Sequence, residues 1–461
     1  MPLAGSARAK DAKPAVAILG AGFGGLTAAN DLSRRGVPVR VFEAGKEIAG
    51  LSRSFRDDRG FTYDFGAHFI TNRLAAALGV SDRCYTITSF GETVFLRGKT
   101  YSFPLGLLRS PSFVLSAVGG RLDPQKPPVE SAADWYRREY GRRLADEVAL
   151  PLVEAWSGVP PEELAPSVVP PQVDRGTLHV LKLKLASRMS GRAVANGFSR
   201  EKPENAHVWH VYPNGGVVEL CERLAMGLDD CIALDSRVEA IMVERERVVG
   251  VRVKGVEHAA SAVVSTAPLH VLPKLMEGTT ALDYLAGFRY RPMVLVNLRF
   301  NDRPALPDVT TWVPERQYPF FRLTEPPQSI PWLAPAGMTM VTADIGCEVD
   351  SPVWAMGEDE LGELCIDRLD DIIPSARARY QGCRVLKTPV GYPVYLRAYE
   401  AARRDLESGL PVEGLISIGR NGEFAHILTE DIFWRTLARM RELRVWLDNQ
   451  PLREHSVDRP A

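Results

Sequence analysis

The feature that most narrows what this chain can fold into is the run AVAILGAGFGGLTAANDLSRRG at residues 15–36. A short apolar stretch, residues 15–19, meets Gly20, Gly22 and Gly25 in the spacing G-x-G-x-x-G. Helical apolar spacing follows at once, and Gly36 marks its stop. Residues 37–44 (VPVRVFEA) read as a second strand ending at Glu43. Together these predict a β–α–β unit that holds a dinucleotide. Gly20 permits a tight turn, Gly22 lets the backbone approach a pyrophosphate, and Gly25 lets the helix pack on the strand. Phe23 and Gly24 open the helix, whose N-terminus faces the phosphates. Glu43, with Ala44 beside it, is placed to accept hydrogen bonds from ribose hydroxyls.

Composition narrows the setting. The 461 residues suit two or three domains, and 45% apolar content supplies a large core. Lys+Arg (56) and Asp+Glu (57) leave a net charge of −1, which excludes a global electrostatic pull toward nucleic acid. No apolar run reaches the roughly 18 residues of a spanning helix. The N-terminus MPLAGSARAKDAKP lacks the apolar core of a signal peptide, so a cytoplasmic protein is expected. Six scattered cysteines without a CxxC predict reduced thiols rather than a disulfide framework or a zinc site, and no metal is expected. The excess of arginine over lysine fits a GC-rich bacterial genome.

Along the chain, residues 131–156 predict a helix carrying Trp135, Tyr140 and Leu144 on one stripe, broken at Pro151. A helix is expected over 217–228, a meander of strands over 236–266, and a strand over 292–300. A buried strand at 415–419 and a closing helix precede a polar tail from residue 450.

Past Glu43 the sequence resembles the FAD-binding amine oxidase superfamily. Ala49-Gly50-Leu51-Ser52-Arg53 matches its Gly-Gly-x-x-Arg stretch along the FAD pyrophosphate, with Ala in place of the first Gly. FTYDFGAHFITN (61–72) resembles the segment beside the flavin in UDP-galactopyranose-mutase-like and protoporphyrinogen-oxidase-like proteins. The resemblance gives Gly66 and Ala67 a place against the ring and His68 a catalytic one. It also places Val238 by the adenine and Ala267 in a turn returning to the cofactor. PFFRLTEPP (319–327) is similar to the mutases' Arg-x-x-Glu stretch, implying that Arg322 lies near flavin and an anionic substrate group. Gly419-Arg420-Asn421-Gly422 resembles the last FAD motif, with Ile427 and Leu428 near the pyrimidine edge of the ring and Arg420 toward flavin or substrate. His426 stands where Tyr is usual and Glu430 where Asp is usual. Tyr395 and Tyr399 are candidates to line the substrate pocket.

The expected fold is α/β. A discontinuous Rossmann-type FAD domain (1–75, 206–280 and 385–449) carries a substrate domain (76–205 and 281–384) with antiparallel sheet and helices, and 450–461 is a tail. The function implied is an FAD-dependent oxidoreductase moving hydride from a small molecule to flavin N5, in a bacterial biosynthetic pathway. The alternative is a mutase-like, redox-neutral flavoenzyme acting on a nucleotide sugar. A third reading is a flavin-bound scaffold. The substrate expected is anionic or sugar-containing. Glu325 and Glu430 are the carboxylates expected to neutralise Arg322 and Arg420.

Overall fold

The computed structural model describes residues 14–66, 69–103, 106–107, 111–122, 128–169 and 177–450. Val16–Leu19 is wholly buried and lies at the centre of a five-stranded parallel sheet. Val39–Phe42 pairs on one side and Val263–Ser265 on the other, with Ile232–Ala233 and Leu415–Ser417 at the edges. Burial on both faces explains why the central strand is continuously apolar rather than alternating. The helix Phe23–Arg34 packs against the closing helix Thr429–Asp448, joining Leu26 and Leu32 to Phe433, Met440 and Leu447 in one core.

Val238–Glu244, Arg247–Val253 and Val256–Ala259 form the expected meander. The fourth segment, Val263–Ser265, leaves it to join the parallel sheet. A third, seven-stranded sheet runs in the order 380–393, 290–301, 338–346, 322–324, 310–312, 92–96 and 99–102. The helix Glu358–Leu369 covers it through Leu361, Cys365, Ile366 and Leu369. Tyr380–Pro393 belongs to this sheet throughout, so the expected domain junction at 385 falls inside a strand.

The helical segment over 131–157 breaks earlier than expected. Ala132–Tyr140 ends at Gly141, whose φ of +77° no helix continues. A π-helical turn, Ala145–Ala149, follows, and Pro151 sits in the first turn of Leu150–Ser157. Residues 142–157 nonetheless run as one continuous helix, with the π-helical turn directly ahead of Pro151, so Gly141 and not Pro151 is the break.

Candidate active site

The glycine turn behaves as its spacing predicts. Gly20 has φ +98°, and a Cβ there would run into the Thr266 hydroxyl. A Cβ on Gly25 would collide with the Gly20 carbonyl oxygen, so this glycine sets the helix–strand approach. A Cβ on Gly22 would meet nothing nearer than the Ala49 carbonyl oxygen, at 4.0 Å. That open space lies before a helix with no side-chain cap and no acidic residue in its first turn. Free amides and the helix dipole therefore face an uncrowded position suited to phosphate. Phe23 is buried at this end against Phe433, and Gly24 approaches Gly419, joining the first and last motifs.

Glu43 anchors the turn from the neighbouring strand. One carboxylate oxygen accepts from the Ala21 N–H and the other from the Gly45 N–H, each at 2.7 Å. These bonds fix both oxygens and leave lone pairs for a ribose. Ala44, next to it, is exposed. Ser236 donates its N–H to the Glu43 carbonyl, which brings Val238 beside the end of that strand. Ala49 pairs its N–H with the Ala21 carbonyl and has φ +82°, a left-handed conformation that favours glycine. The departure from Gly in this stretch thus falls on a position where Gly is unstrained. Gly50, Leu51 and Ser52 continue as a single 3₁₀ turn. Arg53 pairs with Glu47 at 3.0 Å, while its Nε is buried without a partner among the described residues. It lines a cleft of about 620 Å³ with Ser54, Tyr63 and Val218. Thr266 bonds the Leu19 carbonyl through both N–H and hydroxyl, which holds the turn at Ala267 against Gly20. These residues fit a flavin dinucleotide.

Gly66, with φ +91°, lies against Arg322: a Cβ there would be 4.0 Å from a guanidinium nitrogen. Ala67 and His68 lie outside the described residues. Arg322 opens the strand 322–324, and the sheet register sets its partners. Trp312 lies directly opposite on one side and Asp344 on the other. The guanidinium sits 5.6 Å over the Trp312 ring and forms an ion pair with the 1%-exposed Asp344. Burial opposes the Arg322 charge most, but Asp344, Tyr392 and Glu92 together outweigh it and hold the group above the usual arginine range; burial also raises Asp344, and the Arg322 charge counters that.

Arg420 is differently placed. It lies 4.8 Å over the Tyr392 ring, its Nε is buried without a partner, and no carboxylate pairs with it among the described residues. Burial lowers its pKa; Tyr392 and Tyr395 oppose that shift and the Arg322 charge adds to it. An arginine remains protonated through such shifts. His426 completes the wall, between Trp156 at 5.5 Å and Tyr392 at 5.4 Å. Burial, then the charges of Arg420, Arg200 and Arg322, hold its pKa well below the ordinary histidine value. His426 is therefore neutral near pH 7. The backbone N–H of His426 donates to the Tyr395 hydroxyl at 2.9 Å, which ties this loop to a buried ring that itself stacks on Phe424 at 5.5 Å. Ile427 is buried, and Leu428 caps the closing helix.

Three expectations are corrected. Tyr399 packs rather than lines: its ring stacks on Phe288 at 4.5 Å and its hydroxyl donates to the Val394 carbonyl. Glu325 is fully buried and accepts from the N–H groups of Ala305 and Leu306, the Thr339 hydroxyl and the Gln328 amide, far from a neutralising role. Glu430 is likewise engaged elsewhere, by Thr71, Arg73 and Trp434. The carboxylate on Arg322 is Asp344, and sequence reasoning missed it along with Tyr392 and Trp156.

A parallel sheet whose first strand turns through glycines into a helix, beside a second sheet that carries a cluster of arginines, has the layout of a dinucleotide-binding fold. The chain belongs to the flavin containing amine oxidoreductase family, whose profile matches residues 23–399. It is 29% identical over 188 residues to the mitochondrial protoporphyrinogen oxidase of Nicotiana tabacum. That match spans 36% of this chain and 36% of the tobacco protein. The fold is similar to that of reduced UDP-galactopyranose mutase (TM-score 0.76, 18% identity, 94% of each chain covered). It also resembles cyclohexylamine oxidase from Brevibacterium oxydans IH-35A (TM-score 0.66, 16% identity, covering 94% of this chain and all of that one).

Proposed function

We propose that this chain is an FAD-dependent oxidoreductase acting on a small substrate with an anionic or strongly polar group. When bound, FAD would accept hydride from a substrate C–H at N5. The chain's own residues do the rest. The Gly20–Gly25 turn and the N-terminus of its helix would hold the pyrophosphate, Glu43 the ribose, and the Ala49–Arg53 turn would flank the phosphates. The observation that carries the substrate reading is Arg420, a cation facing Tyr392 and His426 with no carboxylate of its own among the described residues. Arg322 is already paired with Asp344, so Arg420 is left for an external anion. Its planar fork suits a carboxylate or phosphate. Trp156 and Tyr392 would exclude water beside it, and His426, held neutral by burial and the arginine charges, would stay uncharged next to the bound anion.

The same unpaired arginine also suits a nucleotide-sugar diphosphate, which supports a mutase-like second reading. Turnover with and without dithionite pre-reduction separates the two. An oxidoreductase bleaches its visible flavin band on anaerobic mixing with substrate and needs an acceptor to turn over. A mutase works only when pre-reduced and consumes no acceptor. A preparation with no flavin absorbance, released or protein-bound, would defeat both.

A further inference from the structure

Two helices away from the pocket turn apolar side chains outward. On Pro111–Leu122, Pro111, Leu115 and Val118 form an exposed stripe at i, i+4 and i+7, with Leu115 72% exposed. On Thr177–Ser190, Leu185 is 59% and Met189 80% exposed, while Leu183 on the other side is buried. At 100° per residue, Lys182, Leu185 and Met189 share the outer face, and Lys184 and Arg188 flank it. Lys184 donates to the Phe103 carbonyl at 2.6 Å, which holds this helix against the end of the strand 99–102, and Phe103 is itself partly exposed.

In sequence the two stretches are basic, bounded by Asp123 and Asp174. The chain as a whole is balanced, yet residues 97–122 and 175–200 contain no Asp or Glu while carrying several Arg and Lys. Among the described residues, Lys99, Lys182 and Arg188 are exposed and make no ion pair. Exposed Leu and Met beside unpaired cations describe a helix that lies in a lipid–water interface. A second copy of the chain fits poorly, because a symmetric contact would set cation against cation. No helix among the described residues is long and apolar enough to cross a membrane, so the contact is peripheral.

We propose that the helices Pro111–Leu122 and Thr177–Ser190 form a docking face for a bilayer rich in anionic phospholipid. The apolar stripes enter the headgroup region and the lysines and arginines meet lipid phosphates. Each basic residue near such a surface strengthens binding about fivefold at low salt.

The test is flotation of the flavin-loaded protein with vesicles of phosphatidylglycerol and phosphatidylcholine, and with pure phosphatidylcholine. The wild type should float with the anionic vesicles, dissociate at high salt, and stay behind with the neutral ones. Leu185→Glu/Met189→Glu and Lys182→Glu/Arg188→Glu should each weaken binding at least about tenfold. These positions are exposed, so flavin content and melting should match the wild type. No flotation with anionic vesicles at low salt would overturn the proposal, as would flotation unchanged in both variants. A concentration-dependent dimer, seen by light scattering and lost in the Leu185/Met189 variant, would instead assign the face to a second copy.

Discussion

The glycine turn and the arginine pocket are built on opposite logic. The turn is fixed by conformation: Gly20, Gly22, Gly25, Glu43 and Ala49 lie within one β–α–β unit, and each role follows from φ or from the room a Cβ would need. The pocket is fixed by charge and register. Gly66, Trp156, Arg322, Asp344, Tyr392, Arg420 and His426 come from seven elements or loops across the chain. A local site tolerates changes everywhere except at its turn, whereas a long-range site depends on every strand being in register. The two should therefore fail separately.

The largest separation should come from Asp344→Asn. It leaves the Arg322 charge buried without its partner, at a cost of about 3–5 kcal/mol of stability, while the glycine turn is untouched. A fall in the urea midpoint with flavin binding retained in the folded fraction is the expected outcome. An unchanged midpoint would mean the ion pair holds nothing together. Gly22→Val is the converse. Its Cβ meets no protein atom nearer than 4.0 Å, so the apo fold should melt normally. Flavin affinity should fall on the order of a thousandfold, or about 4 kcal/mol. Full occupancy after purification would show that phosphate does not pass this turn.

His210 sharpens the comparison through pH. It is buried against Phe69, Phe90 and Phe198, with Nδ1 unpartnered among the described residues, and burial lowers its pKa from 6.5 to about 4. The folded state thus refuses a proton that the unfolded chain accepts. Its contribution is intact above pH 6.5, is lost as pH falls toward 4, and amounts to about 3 kcal/mol at full loss. His210→Phe should flatten that part of the stability–pH curve. An equally steep curve in the variant would assign the slope to other groups. The smallest effect belongs to Ala49→Gly. Relief of a left-handed alanine and the added freedom of the unfolded chain oppose each other, so the melting change should be within about 1 kcal/mol. A large loss would show that the buried Ala49 methyl matters more than its backbone.

This contrast also decides what could be read in the sequence. The β–α–β unit was legible because spacing alone encodes its backbone geometry, down to the separate roles of Gly20 and Gly25. The meander over 236–266 was legible by alternation, but its last segment's transfer to the parallel sheet was not, since a three-residue apolar run fits either. Arg322 and Arg420 were reached through resemblance to a family, and the structure brings them to one pocket. Their partners are not given by nearness in sequence. Glu325 follows Arg322 by three positions out of a strand, where successive side chains alternate faces. Asp344 lies in the next strand, directly opposite, and only the register reveals it. Tyr395 and Tyr399 look alike in sequence, and both rings pack on Phe424; only Tyr395 also reaches the His426 loop, through its hydroxyl.

The central claim is that Arg420, unlike Arg322, is left unneutralised for an anion beside the flavin. The most direct measurement titrates the oxidised, flavin-loaded protein with a small dicarboxylate such as oxalate and follows the perturbation of the visible flavin band. It compares wild type with Arg420→Lys and Arg420→Gln, each first checked for flavin content and melting. A saturable perturbation in the wild type is expected, weakened at least about tenfold in the lysine variant and lost in the glutamine variant, with melting unchanged in both. Identical titrations in all three proteins would contradict the claim and return Arg420 to a purely structural role.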